Sequence, residues 1–296
     1  MREQVDKEKI NKAFQAIIPR LDSLPLPNVM TSRLLVALGG RCTAEELKEI
    51  IEADPAITLQ VLKVSNSAYY GQRSRIQNIE RAILLMGIEE IRNICLSICL
   101  IAKFNPADRY AKSFHMDYFW HHSLLTASTA ARLARQKEWI KSEDAFILGL
   151  LHDIGKTVFA VALPTVFDKL AGIAGTTSGC AFYEIESRAG LSHTLIGSWI
   201  ATRWGLPPII RSVIEYHHDP DEVMDEFAGP VSLIDVANAA TNTVLPDPLC
   251  VYQQEEFPSA WSLDKLNIMP EDYTEIVKET EDAISDMESM YSVLKF

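Results

Sequence analysis

A histidine followed directly by an aspartate, His152-Asp153, closes the apolar run Leu148–Leu151, and Gly155 and Lys156 come just after it. Burying an imidazole beside a carboxylate is costly unless something compensates the lost hydration, and a bound metal ion is a common partner. Neutral imidazoles and carboxylates are suitable ligands for zinc, iron, manganese and nickel. The pair therefore predicts the centre of a metal site.

Four other regions of the chain offer ligands of the same chemical type. They are His122, His193, the pair His217-His218, and Asp235. Each lies in a segment whose apolar residues recur at helical spacing. The metal-ligand set predicted from the sequence is therefore His122, His152, Asp153, His193, His217, His218 and Asp235.

The spacing of these ligands predicts that they meet, because pairs of them are equidistant from turn signals. The turns are the polar segment 135–138, Gly205, and a point just before Gly229-Pro230. Helices joined by a short turn run antiparallel, and each residue adds about 1.5 Å of rise. Residues equidistant from a turn therefore lie at one height. His122 and His152 flank segment 135–138, His193 and His217 flank Gly205, and His218 and Asp235 flank the point before Gly229-Pro230.

Five histidines and two aspartates exceed one tetrahedral ligand set, which predicts two divalent ions of iron, manganese, zinc or nickel. In such a pair an aspartate bridges the ions, and an activated water attacks a phosphorus centre. Asp153 is the predicted bridge. Lys156, about one helical turn later, is predicted to pair with a phosphate oxygen. Asp153 and Lys156 are thus the candidate catalytic residues.

Structural roles remain alternatives for each of these residues. A single histidine in such a helix is often a hydrogen-bonded core residue, and His217-His218 could favour a helix C-terminus, where positive charge is stabilising. Asp235 could be a solvated residue on an amphipathic helix. His115 and His121 are expected to be structural.

Apolar spacing of three and four residues recurs throughout the chain and predicts an all-α fold of two helical lobes. The predicted parts are an N-terminal helix over 1–19, an N-terminal lobe over 20–104, a ligand-bearing lobe over 110–245, and an acidic helical extension over 246–296 that docks on the body.

Within these parts, Thr43 with Glu46 predicts a capping box, and Asp54-Pro55 predicts the start of a helix. Other helices are predicted from about Val29 to Gly39 and over 6–19, 117–135, 142–153, 180–204, 207–217 and 230–244. The run 157–161 is ambiguous between helix and strand.

The composition narrows the class of protein. A net charge of −12 argues against broad contact with a nucleic-acid backbone, although a local basic pocket could still bind a phosphate ligand. Apolar stretches are broken by charges before the roughly 18 residues of a membrane span. The five cysteines show no Cys-x-x-Cys spacing, and the charged N-terminus does not resemble a signal peptide. A cytoplasmic protein without membrane contact is expected.

Four motifs occur in order: Leu24-Pro25-Leu26-Pro27, Ile51–Ala56, Val64–Ala68 and Ala82–Gly87. Together they resemble the signatures of the HDOD family, bacterial signalling domains related to the HD superfamily of metal-dependent phosphohydrolases. The resemblance covers roughly residues 20–220, with Met86 where leucine is usual. It implies an HD metal site built from the seven ligands named above. Many HDOD proteins have lost such ligands and are thought to be non-catalytic scaffolds, whereas this sequence keeps the full set.

Two functions follow from this resemblance. One is a metal-dependent phosphohydrolase or phosphodiesterase acting on a nucleotide-like substrate; the chain lacks the Gly-Tyr-Pro motif of the branch that cleaves cyclic di-GMP, which disfavours that substrate. The other is a non-catalytic signalling scaffold that binds partner proteins. A ferritin-like di-iron site ranks last because such a site needs Glu-x-x-His pairs on two helices, and the chain has only one such spacing, Glu215 to His218.

Two further features have open roles. Glu184 and Arg188 could face the site or form a surface ion pair. The motif Asn66–Gly71 could end a helix and pack its tyrosines at the lobe boundary, or it could form a surface for a partner or ligand.

Overall fold

The structure is a computed structural model that describes residues 7–22, 33–34, 42–72, 74–104, 110–137, 140–177, 181–249 and 257–295. The described residues form helices joined by turns and contain no strand, which confirms the predicted all-α fold. The α-helices are α1 (Lys7–Asp22), α2 (Ala44–Glu52), α3 (Pro55–Ser65), α4 (Ile79–Met86), α5 (Ile88–Phe104), α6 (Met116–Lys137), α7 (Ser142–Leu151), α8 (Ile154–Ala162), α9 (Pro164–Ala174), α10 (Phe182–Ala189), α11 (His193–Arg203), α12 (Pro208–Tyr216), α13 (Asp225–Val244), α14 (Ala260–Lys265), α15 (Pro270–Asp282) and α16 (Ile284–Leu294). Short 3-10 helices cover Ala68–Tyr70 and Pro220–Glu222.

The start of the N-terminal lobe is fixed by the caps that the sequence predicts. The Thr43 hydroxyl accepts a hydrogen bond from the backbone of Glu46, whose carboxylate accepts one from the Thr43 backbone at 2.8 Å. The Asp54 carboxylate accepts hydrogen bonds from the first turn of α3. Gly87, at a φ of 90°, separates α4 from α5, and such a φ is comfortable only for glycine. The almost fully buried α5 then packs against α3 and α7 and joins the two lobes.

Asn66 ends α3 and confirms the capping role considered for it. Its amide nitrogen donates to the carbonyl groups of Leu62 at 2.7 Å and Ile76 at 2.9 Å. Its carbonyl oxygen accepts from the Ile76 backbone at 2.8 Å. In the loop that follows, Tyr69 hydrogen-bonds Ser128 of α6, so this motif also lies at the lobe boundary.

Two close helix contacts organise the ligand-bearing lobe, and both depend on glycine. A β-carbon added to Gly149 of α7 would lie 2.6 Å from the α-carbon of Ala127 in α6. A β-carbon added to Gly155 of α8 would lie 1.9 Å from the carbonyl oxygen of His193 at the start of α11. A β-carbon added to Gly197 of α11 would lie 3.3 Å from the α-carbon of Gly155. The backbones of α6 and α7, and of α8 and α11, therefore pack directly against each other on both sides of His152-Asp153.

The C-terminal helices dock on the body, as the sequence predicts. The extension's α15 packs against α13, whereas α16 contacts α6 in one lobe and α3 and α5 in the other. The Tyr291 hydroxyl donates to Asp117 of α6 at 2.8 Å. The Gln60 side chain of α3 donates to the backbone carbonyl of Val293. The last helix therefore connects the two lobes.

Some element boundaries differ from the prediction. The helix predicted over 142–153 ends at Leu151, and α8 then includes the ambiguous run 157–161. Gly190, at a φ of 72°, divides the helix predicted over 180–204. Most of the helix expected from about Val29 lies outside the described residues.

The helix predicted to begin at residue 230 instead begins at Asp225 and continues through Pro230. The connection after α12 therefore ends before residue 225, and Gly229-Pro230 is not a turn. The third predicted hairpin was therefore wrong. In addition, His218 lies in the connection itself rather than in a helix.

One described stretch, Asp144–Ala162, is long and apolar enough to cross a membrane, with a mean hydropathy of 1.5. It runs from Asp144 in α7 to the end of α8, is interrupted by Asp153 and Lys156, and is 83% buried inside the protein. Its surroundings are those of a core helix pair. The cytoplasmic location stays a prediction.

Candidate metal centre

Six of the seven predicted ligands come together in the ligand-bearing lobe. His122 lies in α6, and its Nε2 is 3.3 Å from Nε2 of His152, which follows α7. His193 begins α11, and its Nε2 is 3.5 Å from Nε2 of His217, which follows α12. The first two predicted hairpins thus place their histidines at matching heights.

The carboxylate of Asp153 lies between these two histidine pairs. Its Oδ1 is 3.1 Å from Nε2 of His193 and 3.5 Å from Nε2 of His217. Its Oδ2 is 3.3 Å from Nε2 of His152 and 3.6 Å from Nε2 of His122. Each oxygen thus faces its own pair of imidazole nitrogens, which is the arrangement expected of a bridging carboxylate.

Two groups of ligand atoms can be defined around Asp153, each with all its atoms within 4.8 Å of one another. The Oδ1 half-site consists of Asp153, His193, His217 and His218. The Oδ2 half-site consists of His122, His152 and Asp153. All of these residues are buried except His218, which is half-buried. The roles of these residues as ligands stay predictions.

The histidines that follow α7 and α12 are held in one tautomer by backbone carbonyl groups. His152 Nδ1 lies 2.6 Å from the carbonyl oxygen of Gly149. His217 Nδ1 lies 3.1 Å from that of Val213. Because a carbonyl oxygen only accepts, each Nδ1 carries the proton, and each Nε2 presents a lone pair toward Asp153. Metal-ligating histidines are commonly oriented in this way.

Glu186 of α10 performs the same task for His193. One of its carboxylate oxygens lies 2.5 Å from Nδ1 of His193 and accepts a hydrogen bond from the backbone N–H of His193 at 3.2 Å. The Glu186 side chain is fully buried. A buried carboxylate in this position orients the ring and increases the basicity of Nε2.

The sequence interpretation missed Glu186 and considered Glu184 and Arg188 instead, both of which are exposed. The signal was present in the pattern of α10. Phe182 and Ile185 are buried, and a residue four positions after Phe182 lies on the same helix face.

Burial keeps several of the imidazoles neutral. It lowers the pKa of His217 to about 4 and the pKa values of His122 and His218 well below the usual range for histidine. Neighbouring imidazoles lower these values further. At neutral pH these rings are therefore available as ligands without first losing a proton.

Two groups keep or gain charge despite burial. Burial opposes the charge on Asp153, but Lys156 and the neighbouring histidines outweigh it and hold the pKa of this carboxyl well below its usual range. Burial likewise opposes a proton on His193, yet Glu186 and Asp153 raise the pKa of His193 above 6.5. A proton therefore competes with an ion more strongly at His193 than at His122, His217 or His218.

Lys156 lies on Asp153 at the wall of a pocket. Its Nζ is 2.6 Å from Asp153 Oδ2, and 18% of its side chain is exposed. The pocket has an empty volume of about 340 Å³, open solvent included, and its lining includes His115, Tyr118 and Asp247. His115, which was expected to be structural, therefore lines the approach to Lys156. An anion in this pocket could reach the ammonium group.

Asp235 is in neither half-site. Its carboxylate accepts a hydrogen bond from the Ser259 backbone at 2.9 Å. Asn238, three residues later in α13, lies beside His122 instead. The hairpin predicted to place Asp235 level with His218 does not form, so the height argument does not apply to Asp235. His121, expected to be structural, contacts the Tyr291 ring edge-on with centroids 4.6 Å apart.

Among the described residues, the buried atoms of the cluster without a hydrogen-bond partner include two that suit an ion. They are Asp153 Oδ1 and Nε2 of His218, whose ring stacks on Tyr183 at 4.1 Å between centroids. Buried polar atoms of this kind are normally satisfied. Lone pairs of neutral imidazoles grouped around a carboxylate fit a divalent transition-metal ion.

Comparison with solved structures shows a shared fold. An HDOD domain protein of unknown function from Geobacter sulfurreducens is 22% identical, with a TM-score of 0.79, and the alignment covers 97% of this chain and 98% of that one. A candidate phosphohydrolase from Shewanella amazonensis SB2B is 19% identical, with a TM-score of 0.73 and coverage of 94% and 98%. A candidate metal-dependent phosphohydrolase from the same organism is 20% identical, with a TM-score of 0.60 and coverage of 95% and 99%.

Curated relatives are longer than the region that matches. An uncharacterized protein of Treponema pallidum (strain Nichols) is 25% identical over 77% of this chain, which is 44% of that protein. A ribonuclease Y of Mycoplasma mycoides is 24% identical over 62% of this chain and 36% of the relative. The chain thus spans less than half of these relatives. The HDOD domain family matches residues 24–220, which are two thirds of the sequence and end within the ligand-bearing lobe, and the protein therefore belongs to the HDOD family.

Proposed function

We propose that this protein is a signalling protein whose metal centre hydrolyses a phosphoester bond in a nucleotide-like substrate. The observation that carries the proposal is the orientation of His152, His193 and His217. Each has Nδ1 directed at a buried acceptor and Nε2 directed at Asp153. The phosphohydrolase descriptions of the two Shewanella neighbours are consistent with this chemistry.

In this proposal His122, His152 and Asp153 hold one divalent ion, and His193, His217, His218 and Asp153 hold another. Bound there, such ions supply Lewis acidity and lower the pKa of water to near neutrality.

The chain's own residues provide the remaining functions. Asp153 keeps its negative charge at neutral pH and places one oxygen in each half-site. Lys156 presents an ammonium group at the pocket wall, where it can bind a phosphate oxygen. Tyr118 and His115 line the same pocket and limit its width.

A non-catalytic scaffold is the second candidate function, and one observation favours it. The N-terminal lobe gives no residue to either ligand group in the described part of the chain, yet it exposes large apolar side chains. Leu84 is 72% exposed, Leu59 56% and Leu85 40%. Such side chains are candidate contacts for a partner protein where they form one continuous patch.

Metal analysis and a hydrolysis panel separate these functions. Purified protein, as isolated and after loading with Mn²⁺, is analysed for bound metal and assayed with phosphodiesters and nucleotides. The enzyme proposal expects at least one equivalent of ion and turnover in the wild type. It expects loss of both in Asp153→Asn and retention of both in the matched control Asp235→Asn.

Bound metal without turnover on any substrate would support the scaffold function. Less than one equivalent after loading would contradict the metal centre itself.

A further inference from the structure

The two half-sites differ because the ammonium group of Lys156 already lies in one of them. Lys156 Nζ is 2.6 Å from Asp153 Oδ2, the oxygen that also faces His122 and His152. At Oδ1 the neighbours are the imidazoles of His193 and His217. The Oδ1 half-site has four ligands, whereas the Oδ2 half-site has three ligands and a resident cation.

An ammonium group and a divalent ion cannot share Asp153 Oδ2 at low cost. Both carry positive charge, and the pair lies where water is largely excluded, with the Asp153 side chain only 2% exposed. Repulsion between charges a few ångströms apart is much stronger at a low dielectric constant than in water. An ion therefore enters the Oδ2 half-site only after Lys156 has moved.

The surroundings of Lys156 give the ammonium group another place to go. Its side chain lines the pocket that His115, Tyr118 and Asp247 also line, and it is partly exposed there. The carboxylate of Asp247 attracts the ammonium group from the pocket side. A phosphate group in this pocket would add a second acceptor of opposite charge.

We propose that Lys156 acts as a removable cation that makes occupancy of the two half-sites unequal and couples the second ion to an anionic ligand. The first ion binds in the Oδ1 half-site. The second binds in the Oδ2 half-site once a phosphate group has drawn Lys156 away from Asp153. Because such coupling is reciprocal, the second ion also strengthens phosphate binding. The inference rests on the metal binding proposed above but does not require hydrolysis.

The test is a Mn²⁺ titration by calorimetry, with bound ions counted independently by electron paramagnetic resonance. The wild type is compared with Lys156→Met, which removes the charge, and with Lys156→Arg, which keeps it. Lys169→Met removes an exposed charge from α9 and is the matched control for net charge. Each titration is repeated with inorganic phosphate, and association of Mn²⁺ with phosphate alone is subtracted.

In the wild type, the second ion is expected to bind at least about tenfold more weakly than the first. Lys156→Met should strengthen binding of the second ion by about tenfold or more. Lys156→Arg keeps a positive charge and should leave the second ion bound more weakly than the first, whereas Lys169→Met should behave like the wild type. Phosphate should strengthen the second ion in the wild type and have less effect in Lys156→Met.

Equal binding of two ions by the wild type without phosphate would overturn the proposal. A wild-type titration that phosphate leaves unchanged would also overturn the proposal. This comparison uses the wild type alone and does not depend on whether a variant folds. No ion binding by the wild type under any condition would instead refute the metal centre, so the two failures can be distinguished.

Discussion

Replacing Glu186 with glutamine tests whether the buried carboxylate prepares His193 for an ion. Glutamine has nearly the same shape and keeps an oxygen that can accept both hydrogen bonds now made to Glu186, at 2.5 and 3.2 Å. The substitution therefore removes mainly the charge. Loss of such a supporting group typically weakens metal binding about 10- to 100-fold, or by about 1.4 to 2.7 kcal/mol. Because glutamine keeps a hydrogen-bond acceptor, we expect a loss of metal affinity near the lower limit for Glu186→Gln. Leucine has no acceptor, so we expect a loss near the upper limit for Glu186→Leu.

The pH dependence provides a sharper test of the same interaction. Glu186 and Asp153 raise the pKa of His193, so in the wild type a proton begins to compete with the ion as the pH falls through a value above 6.5. Without the Glu186 charge, the pKa of His193 falls, and this competition begins at a lower pH. The affinities of the wild type and Glu186→Gln should therefore differ most at high pH and converge as the pH falls.

The assay is competition for Mn²⁺ or Zn²⁺ with a chromophoric chelator from pH 8 to about pH 5.5, with the His193 ring followed by nuclear magnetic resonance. Glu184→Gln is the matched control, because it makes the same chemical change on the exposed face of the same helix. Equal affinities for the wild type and Glu186→Gln would refute the supporting role. A constant ratio between the metal affinities of the wild type and Glu186→Gln at every pH would show that the carboxylate does not act through the proton on His193.

The remaining predictions concern the cluster and its frame. His152→Ala and Asp153→Ala should each abolish metal binding and with it the rise in melting temperature on adding metal; unchanged metal content would show that the wrong residues were chosen. Gly155→Ala should destabilise the protein by more than about 3 kcal/mol in chemical unfolding, because the added methyl would strike a backbone carbonyl oxygen. Gly172→Ala, with no atom within 4 Å of the added carbon, should be neutral or slightly stabilising, and similar losses in both variants would contradict the close-contact argument. Asn66→Ala should cost about 1 to 3 kcal/mol in the same assay through its lost hydrogen bonds, and an unchanged unfolding midpoint would reject its capping role.

The elements that could be predicted from the sequence are those governed by local chemistry. The caps at Thr43 and Asp54 depend on residues a few positions away, and both occur as expected. The meeting of His122 with His152 could also be predicted, because one short turn fixes the relation between two adjacent helices.

What could not be predicted depends on register across longer connections and on shape. The turn expected before Gly229-Pro230 lies inside α13, so the height predicted for Asp235 does not apply; Asp235 accepts a hydrogen bond from Ser259, and Asn238 lies beside His122. Glu186 acts across the turn at Gly190, so its partner is not a neighbour within its own helix. The spacing of Lys156 placed it correctly near the site but could not show that it already pairs with Asp153.

The direct contact of Gly155 with the start of α11 has a consequence for the choice of ion. Asp153 lies two residues before this contact, and His193 forms part of it. The distance between Asp153 and His193 is therefore fixed by two backbones in direct contact, which cannot move closer together. A pocket framed in this way holds its radius when a larger or smaller cation arrives. If the cluster binds an ion as proposed, this helix crossing should make the site select cations by size, and relaxing the crossing should broaden the range of metals bound.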